Sequence, residues 1–595
     1  MQPTAENTNW DEVCRCAAAG FDWCVSQGEQ SRERGEIDAA LGWFSLAAWS
    51  AGGCGFFGAV ASLKIERELA RCHAQMPPPP FQAQPTGPRR FLHVMDEAYV
   101  IGGHTALCWR WIEARRGIER HSVLLLNQRE ALSDKLKTAV EAAGGNIRML
   151  APGLGLAERA RQLRLAACEQ ADVVVLHTHP DSVVPAAAFS QPGGPSVVVL
   201  NHADHLFQAT GHIADLVFDI RDSGAEWTRN CRGIGASTIV PIPLIDSFEA
   251  KSAEDTESEK RAAREQLGLP QDAVILLTVA SAFKYAPTRN LSFCRSIQPV
   301  LLANPGALLV AVGPEDDGEW RWLSKTTGGR VRALGRRENL SPFHRSADIY
   351  IEGFPIGSLT AMLEAGLSAL PCVRAPRVVP PPFCSDGIAF QANPQPVSVE
   401  EFAEQICRLI RDGEERRRQG GLMRESIKQH HCLPGWVKYL EQALGKIPRT
   451  HCTNVARIIN DVPVVPRNYW LSRLHGTAGN PGWEDIGATI LAEAVSRGFP
   501  VRNEDYAGLG RVMRRRSDEA GISSMVDGLS AQAISSDGNG NRSAARRLEW
   551  RTQMKLRRRW LLRLWEKGKE GLLRRMGLVG LARKIGRTLV GDLRR

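Results

Sequence analysis

Between Trp10 and Arg71, apolar residues recur every three or four positions. Trp10, Val13, Ala17, Phe21 and Cys24 share one helical face. After the polar turn GEQSRERGEID, Ala39, Leu41, Phe44 and Ala47 define a second helix, and Phe56 to Arg71 predicts a third. From Phe91 the pattern changes to short unbroken apolar runs separated by amphipathic stretches. FLHVM, HSVLLLN, ADVVVLHTH, PSVVVLNH and Ile239–Ile245 read as strands, with helices at Thr105–Arg115 and Glu130–Ala143. The polar run KSAEDTESEK (251–260) reads as a connector or surface loop. A second series follows with AVILLTVAS (273–281), ALLVAVG (307–313), Arg330–Leu334, DIYI (348–351) and LPCVRA (370–375). A helix over Val399–Arg411 then leads into GEERRRQGG, which reads as an exposed helix end. Strands spaced by helices predict an α/β protein with two doubly wound parallel sheets, each Rossmann-like, facing a cleft.

These patterns divide the chain. Residues 1–76 form a helical module, within which GEIDAALGWFSLAAW resembles one tetratricopeptide hairpin, and 77–90 form a stiff Pro-rich linker. Residues 90–246 and 262–445 form the two α/β halves. Residues 446–523 read as a helical extension, 524–545 as a flexible Ser/Gly/Asn-rich linker and 546–595 as a basic amphipathic tail. A length of 595 residues exceeds what one core supports.

Charge sharpens the picture only at the end of the chain. The net charge is +10. From Arg542 onward, 18 Lys/Arg face four acidic residues, so the rest of the chain is slightly acidic. Trp550, Met554, Leu561, Trp565, Leu572, Met576 and Val579 fall on one face of the tail, with arginines and lysines mostly off it. That pattern predicts an anionic membrane surface as partner, or a docked helix. It lacks any nucleic-acid-binding module, so no nucleic acid is expected. The N-terminus lacks a signal-peptide pattern, and no run reaches the roughly 18 apolar residues a span requires. The 14 cysteines are scattered without a C-x-x-C pair, which predicts a cytoplasmic protein, peripheral on a membrane at most, with no metal site. His430, His431 and Cys432 cluster in sequence but have no partner pair of ligands.

Candidate chemistry sits just after strands. Ala347–Pro371 runs strand, small-residue loop, helix, with Gly357, Ser358 and Thr360 at the helix start and Glu364 one turn in. Backbone N–H groups and the helix dipole there favour a phosphate, and Glu364 reaches toward a ribose hydroxyl. Gly102, Gly103, His104 and Thr105 form a glycine loop before a helix, with Thr105 as a candidate cap. Asn201–His205 places His202, Asp204 and His205 after a strand. Imidazole titrates near neutral pH and takes a proton from an attacking hydroxyl; the bland reading is that the cluster only hydrogen-bonds the cleft together. His177 and His179 form a second pair at a strand end. Lys284 and Arg289, after AVILLTVAS, are candidates to neutralise a leaving diphosphate. Gly313 and Glu315 form a turn that lines a nucleotide pocket in this architecture.

On these motifs the chain resembles GT-B glycosyltransferases. The Glu364-to-Pro371 pattern matches the donor-binding segment, but Ile356 stands where the retaining pattern carries a second Glu, and the nearest upstream Glu is Glu352. The loop FPIGSLT is closer to the inverting O-GlcNAc-transferase group and its bacterial cytoplasmic N-glycosyltransferase relatives. The resemblance covers roughly 90–445. It implies a nucleotide-diphosphate sugar as donor, with no bound cofactor and no metal at the reaction centre. It places Thr360 and Glu364 on diphosphate and ribose, Lys284 on the donor, and His202 in the cleft. The implied acceptor is a glycan, a lipid-linked molecule or a protein. Two other classes stay open: a nucleotide-sugar epimerase on the same fold, and a non-catalytic scaffold.

Overall fold

The computed structural model describes residues 10–53, 59–76, 88–100, 102–246, 253–288, 291–453, 489–494 and 509. The start of the third predicted helix at Phe56, most of the Pro-rich linker, Arg289, most of the 446–523 extension, the 524–545 linker and the basic tail lie outside the described residues.

Two parallel sheets organise the chain. The first contains β1 (Arg90–Met95), β2 (Arg120–Leu125), β3 (Ile147–Met149), β4 (Val173–Leu176), β5 (Ser196–Asn201), β6 (Leu216–Asp219) and β7 (Ser237–Ile239), in the order β3-β2-β1-β4-β5-β6-β7. The second contains β8 (Val274–Val279), β9 (Ala307–Val312), β10 (Val331–Ala333), β11 (Ile349–Ile351) and β12 (Cys372–Val373), in the order β10-β9-β8-β11-β12. β1, β4, β5, β8 and β9 are buried along almost their whole length. Helices cover both faces of a parallel sheet, so its strands read as continuous apolar runs rather than alternating ones. This is the two-domain α/β arrangement of the GT-B fold.

The N-terminal helices α1 (Trp10–Glu33), α2 (Ile37–Gly53) and α3 (Leu63–Ala74) pack onto the first half. Phe44, Leu46, Ile65 and Leu69 share one core with Leu163, Phe189 and Val199, and Ile490 and Leu509 join it. Phe21 meets Phe207 edge-on at 5.7 Å, and Asp38 accepts a hydrogen bond from Ala157 N at 2.9 Å, at the start of the helix Leu156–Gln170.

Four segments depart from the sequence reading. GEQSRERGEID is a turn only between Glu33 and Ile37, since α1 runs on to Glu33. Of Ile239–Ile245 only Ile239 lies in a strand, at the end of β7. From Ala253 onward KSAEDTESEK is not a loop but the start of the helix Ala253–Gln266, so helical structure of the second half begins before residue 262. Its polarity hid it, because its anchorage is electrostatic: Lys260 and Arg264 both pair with Asp348 beside β11. GEERRRQGG does not end a helix. It opens the 19-residue helix Gly413–His431, capped by Asp412, whose carboxylate accepts from Glu414 N and Glu415 N. Gly420 serves close packing there, since a Cβ would overlap the Ala369 carbonyl.

The chain then returns to the first half. Trp436 donates to the Pro241 carbonyl at 2.5 Å, Arg115 pairs with Glu441 at 3.0 Å, and His451 sits 2.8 Å from Asp215. The two halves are thereby tied together behind the cleft.

Candidate functional site

The helix α4 (Gly103–Ala114) starts after β1, and the helix Leu359–Leu367 starts after β11. The two starts meet: a Cβ added to Gly103 would lie 3.3 Å from Thr360 Oγ1. Neither start has a side-chain cap, and neither carries an acid in its first turn. By contrast, Ser292 and Ser398 cap the helices that follow them. Two unneutralised positive helix ends therefore converge at one place. Gly102 is the N-cap residue of α4. Thr105 is not a cap: its hydroxyl, inside the helix, accepts from Tyr99 N at 3.0 Å.

Lys284 lies in the turn Ala282–Tyr285 after β8, and its Nζ donates to the Gly357 carbonyl at 3.0 Å. That bond brings the cation to the loop preceding Ser358 and Thr360. Gly313, at φ +118°, runs against the Ala280 carbonyl at the head of the same turn, where only glycine fits. Glu315 follows and packs over Gly335.

Glu364 receives Arg110 Nη2 of α4 at 2.6 Å. Arg110 had no signal in the sequence, since it is one of many arginines on amphipathic helices. Glu352 is not a substitute for the carboxylate missing at Ile356. It is fully buried and accepts from Ala375 N at 2.9 Å and Ser385 N at 2.6 Å.

Four rings gather beside Gly103. His104 stacks on His202 at 5.4 Å and 25°, and meets Tyr99 and His179 edge-on at 5.4 and 6.1 Å. His202 Nδ1 lies 3.4 Å from the Leu200 carbonyl, which leaves Nε2 as the basic atom. Desolvation, with His104 and His179 nearby, pushes the His202 pKa down to about 3. Its imidazole is thus neutral at physiological pH.

Asp204 stands apart from His202. Both its oxygens receive Arg221 at 2.6 Å, and Arg221 donates onward to the Pro382 and Cys384 carbonyls of the second half. The guanidinium offsets the cost of burial and holds the Asp204 carboxyl well below its usual range. His205 Nδ1 is 3.6 Å from Asp204, and its ring packs on Phe383. Gly224 allows this packing, since a Cβ there would sit 2.7 Å from Asp204 Oδ2. His177 is buried in the core behind the cleft and hydrogen-bonds His93.

His430 and His431 face different partners, Tyr439 Oη at 2.7 Å and the Ile242 carbonyl at 2.8 Å. Burial lowers the His431 pKa to about 4. The unfolded chain takes up this proton near pH 6.5 and the folded chain resists it. The stability involved is complete above pH 6.5 and falls as the pH drops toward 4, by about 1.4 kcal/mol per unit. His431→Gln is expected to lose this slope. Urea denaturation at pH 7 and pH 5 checks it: equal pH dependence in variant and wild type would refute the assignment.

The sheet orders, the cleft and the helix Gly435–Leu444 that returns to the first half define a GT-B-fold protein with uncapped helix starts from both halves at one point. No protein-family model and no curated protein sequence matches the chain. Among solved structures it is similar to Anabaena HepE in complex with UDP-glucose, at 16% identity over 60% of this chain and 99% of that one, with TM-score 0.46. It is also similar to an O-GlcNAc transferase variant from Thermobaculum terrenum, at 14% identity over 78% and 85% of the two chains, with TM-score 0.40. A third is the UDP-GlcNAc 2-epimerase from Neisseria meningitidis bound to UDP-GlcNAc, at 11% identity over 60% and 100%, with TM-score 0.38. Likeness at this level concerns chain path and carries nothing about activity.

Proposed function

We propose that the chain is a glycosyltransferase that moves a sugar from a nucleotide-diphosphate donor to a glycan, lipid-linked or protein acceptor. The carrying observation is the convergence of the Gly103 and Thr360 helix starts. Lys284 reaches the same loop through Gly357. Backbone N–H groups from both halves, with the Lys284 ammonium, would hold the diphosphate and stabilise the charge it gains on leaving. Glu364 would hold the ribose, with Arg110 orienting its carboxylate. Gly313 and Glu315 would line the base side, and Arg289 is proposed as a second cation.

In the inverting form, the acceptor oxygen attacks the anomeric carbon as the bond to the diphosphate breaks. For a hydroxyl acceptor, the proton passes to His202 Nε2, and His104 holds that imidazole by stacking. Binding of the anionic donor raises the basicity of His202 by Coulomb attraction. Asp204 would act through Arg221, which it holds against the Pro382 and Cys384 carbonyls, with His205 beside it.

The test is a thermal-shift screen with UDP-, GDP-, dTDP- and CMP-sugars. One nucleotide series is expected to raise the melting temperature, and an acceptor screen then reads transfer. Folded protein stabilised by none of them would overturn the reading. Product formation from donor alone, with the sugar epimerised, would replace it with the epimerase. We also propose that 546–595 brings the enzyme to anionic membranes. The full chain is expected to float with anionic liposomes and a 1–540 truncation to stay behind; equal flotation would remove that role.

A further inference from the structure

Behind the cleft, the first sheet carries a row of histidines that the proposed transfer does not use. His93 on β1 lies in register with Val123 of β2 and Val175 of β4. His121 and His177 flank it, and all three are essentially without solvent exposure. His93 Nδ1 is 2.9 Å from His177 Nε2, and His93 Nε2 is 3.0 Å from His121 Nδ1. His121 Nε2 lies 3.5 Å from Glu119 Oε2, and Arg115 grips Glu119 with two hydrogen bonds. Cys108 of α4 completes the group: one donor atom each from His93, Cys108 and His177 lie within 4.8 Å of one another.

Burying three imidazoles beneath Phe91, Trp111 and Phe218 is costly unless their polar atoms are satisfied. His93 is satisfied by both neighbours, whereas His177 Nδ1 has no partner and His121 Nε2 meets only Glu119, at 3.5 Å. An aliphatic core would pack here at lower cost, and Cys108 Sγ lies beside the two nitrogens that share a proton between His93 and His177, where a cation can take that proton's place.

We propose that His93 Nδ1, Cys108 Sγ and His177 Nε2 bind a thiophilic d10 cation, Zn2+ or Cu+. Two imidazoles and a thiolate are the donors such ions select. Two nitrogens at about 2.05 Å from a tetrahedral ion stand about 3.3 Å apart. Binding therefore opens the 2.9 Å His93–His177 pair by a few tenths of an ångström. The outer shell is in place. With Nδ1 on the metal, His93 carries its proton on Nε2 and donates it to His121 Nδ1. His121 in turn directs its Nε2–H toward the Glu119 carboxylate, an imidazole-to-carboxylate relay of the kind that orients metal-bound histidines. The Cys108 thiol proton leaves to solvent on binding, and the proton between His93 and His177 shifts to His177 Nδ1. Uptake therefore weakens as pH falls. Loaded, the site ties α4, which carries Gly103 and Arg110, to β1 and to His177 just after β4.

The ligands are enclosed, so loading accompanies folding. The full chain is produced in medium supplemented with Zn2+, and separately with copper under reducing conditions, then desalted and assayed for metal. About one equivalent more is expected in wild type than in Cys108→Ser, with Cys168→Ser equal to wild type. The metal that is retained separates the Zn2+ arm from the Cu+ arm. X-ray absorption on the loaded wild type is expected to show one sulfur and two imidazole ligands, and requires no variant to fold. Equal metal content in wild type and folded Cys108→Ser, or absorption without a sulfur ligand, overturns the proposal.

Discussion

Lys284→Ala is expected to lower kcat/KM for the nucleotide-sugar donor by about 10²–10³-fold, the range seen when one group stabilising transition-state charge is removed. The fold should survive the change. The turn that carries Lys284 is held by its neighbour Tyr285, which is buried, hydrogen-bonded to Thr278 at 2.8 Å and packed edge-on against Phe293 and Trp320 at 5.3 and 5.1 Å. The change removes the side chain beyond Cβ, and with its ammonium the bridge to Gly357. Steady-state kinetics together with a melting curve separate the two effects. Turnover within about twofold of wild type would remove Lys284 from the donor site.

Asp204→Ala is expected to produce the largest loss of stability. It leaves the Arg221 guanidinium buried beside the interface of the two halves without its bidentate partner. Removing one member of a buried pair costs about 3–5 kcal/mol. Asp386, 3.5 Å from Arg221 and hydrogen-bonded to Ser223, compensates in part. The Asp204 carboxylate is held ionised, so the pair contributes fully at neutral pH. That contribution is lost as acid protonates it, at pH values below the ordinary carboxylate range. Urea denaturation at pH 7 reads the effect. His205→Ala, which removes a 3.6 Å contact to Asp204 and the ring packing on Phe383 but strands no buried charge, should cost less. A melting profile for Asp204→Ala matching that of wild type would show that the pair does not tie the halves together.

Much of the fold was legible because strand and helix periodicity is a local property of the chain. The apolar runs FLHVM, HSVLLLN and ALLVAVG correspond to β1, β2 and β9. β3 and β6 were missed. β3, at three residues, is too short for a run to stand out, and in β6 Asp215 and Asp219 bracket an apolar run of only three residues. The Ala253–Gln266 helix escaped for a different reason: its contacts are ionic, so no apolar stripe marks it.

The candidate site was legible in parts and not as a whole. Gly103, Thr360 and Lys284 each stood out as a small-residue or cationic position after a strand. The amino-acid order by itself determined the two α/β halves, the helical N-terminus and the loops that follow the strands, because backbone sterics and solvation act over a few residues. Tertiary structure alone decided that Gly103 touches Thr360 and that Arg110 holds Glu364. It also gave both oxygens of Asp204 to Arg221, with His205 at 3.6 Å, and brought His93, Cys108 and His177 together from three elements. Those meetings depend on strand order and on how the halves close, and separation along the chain carries no measure of distance across a sheet or a cleft.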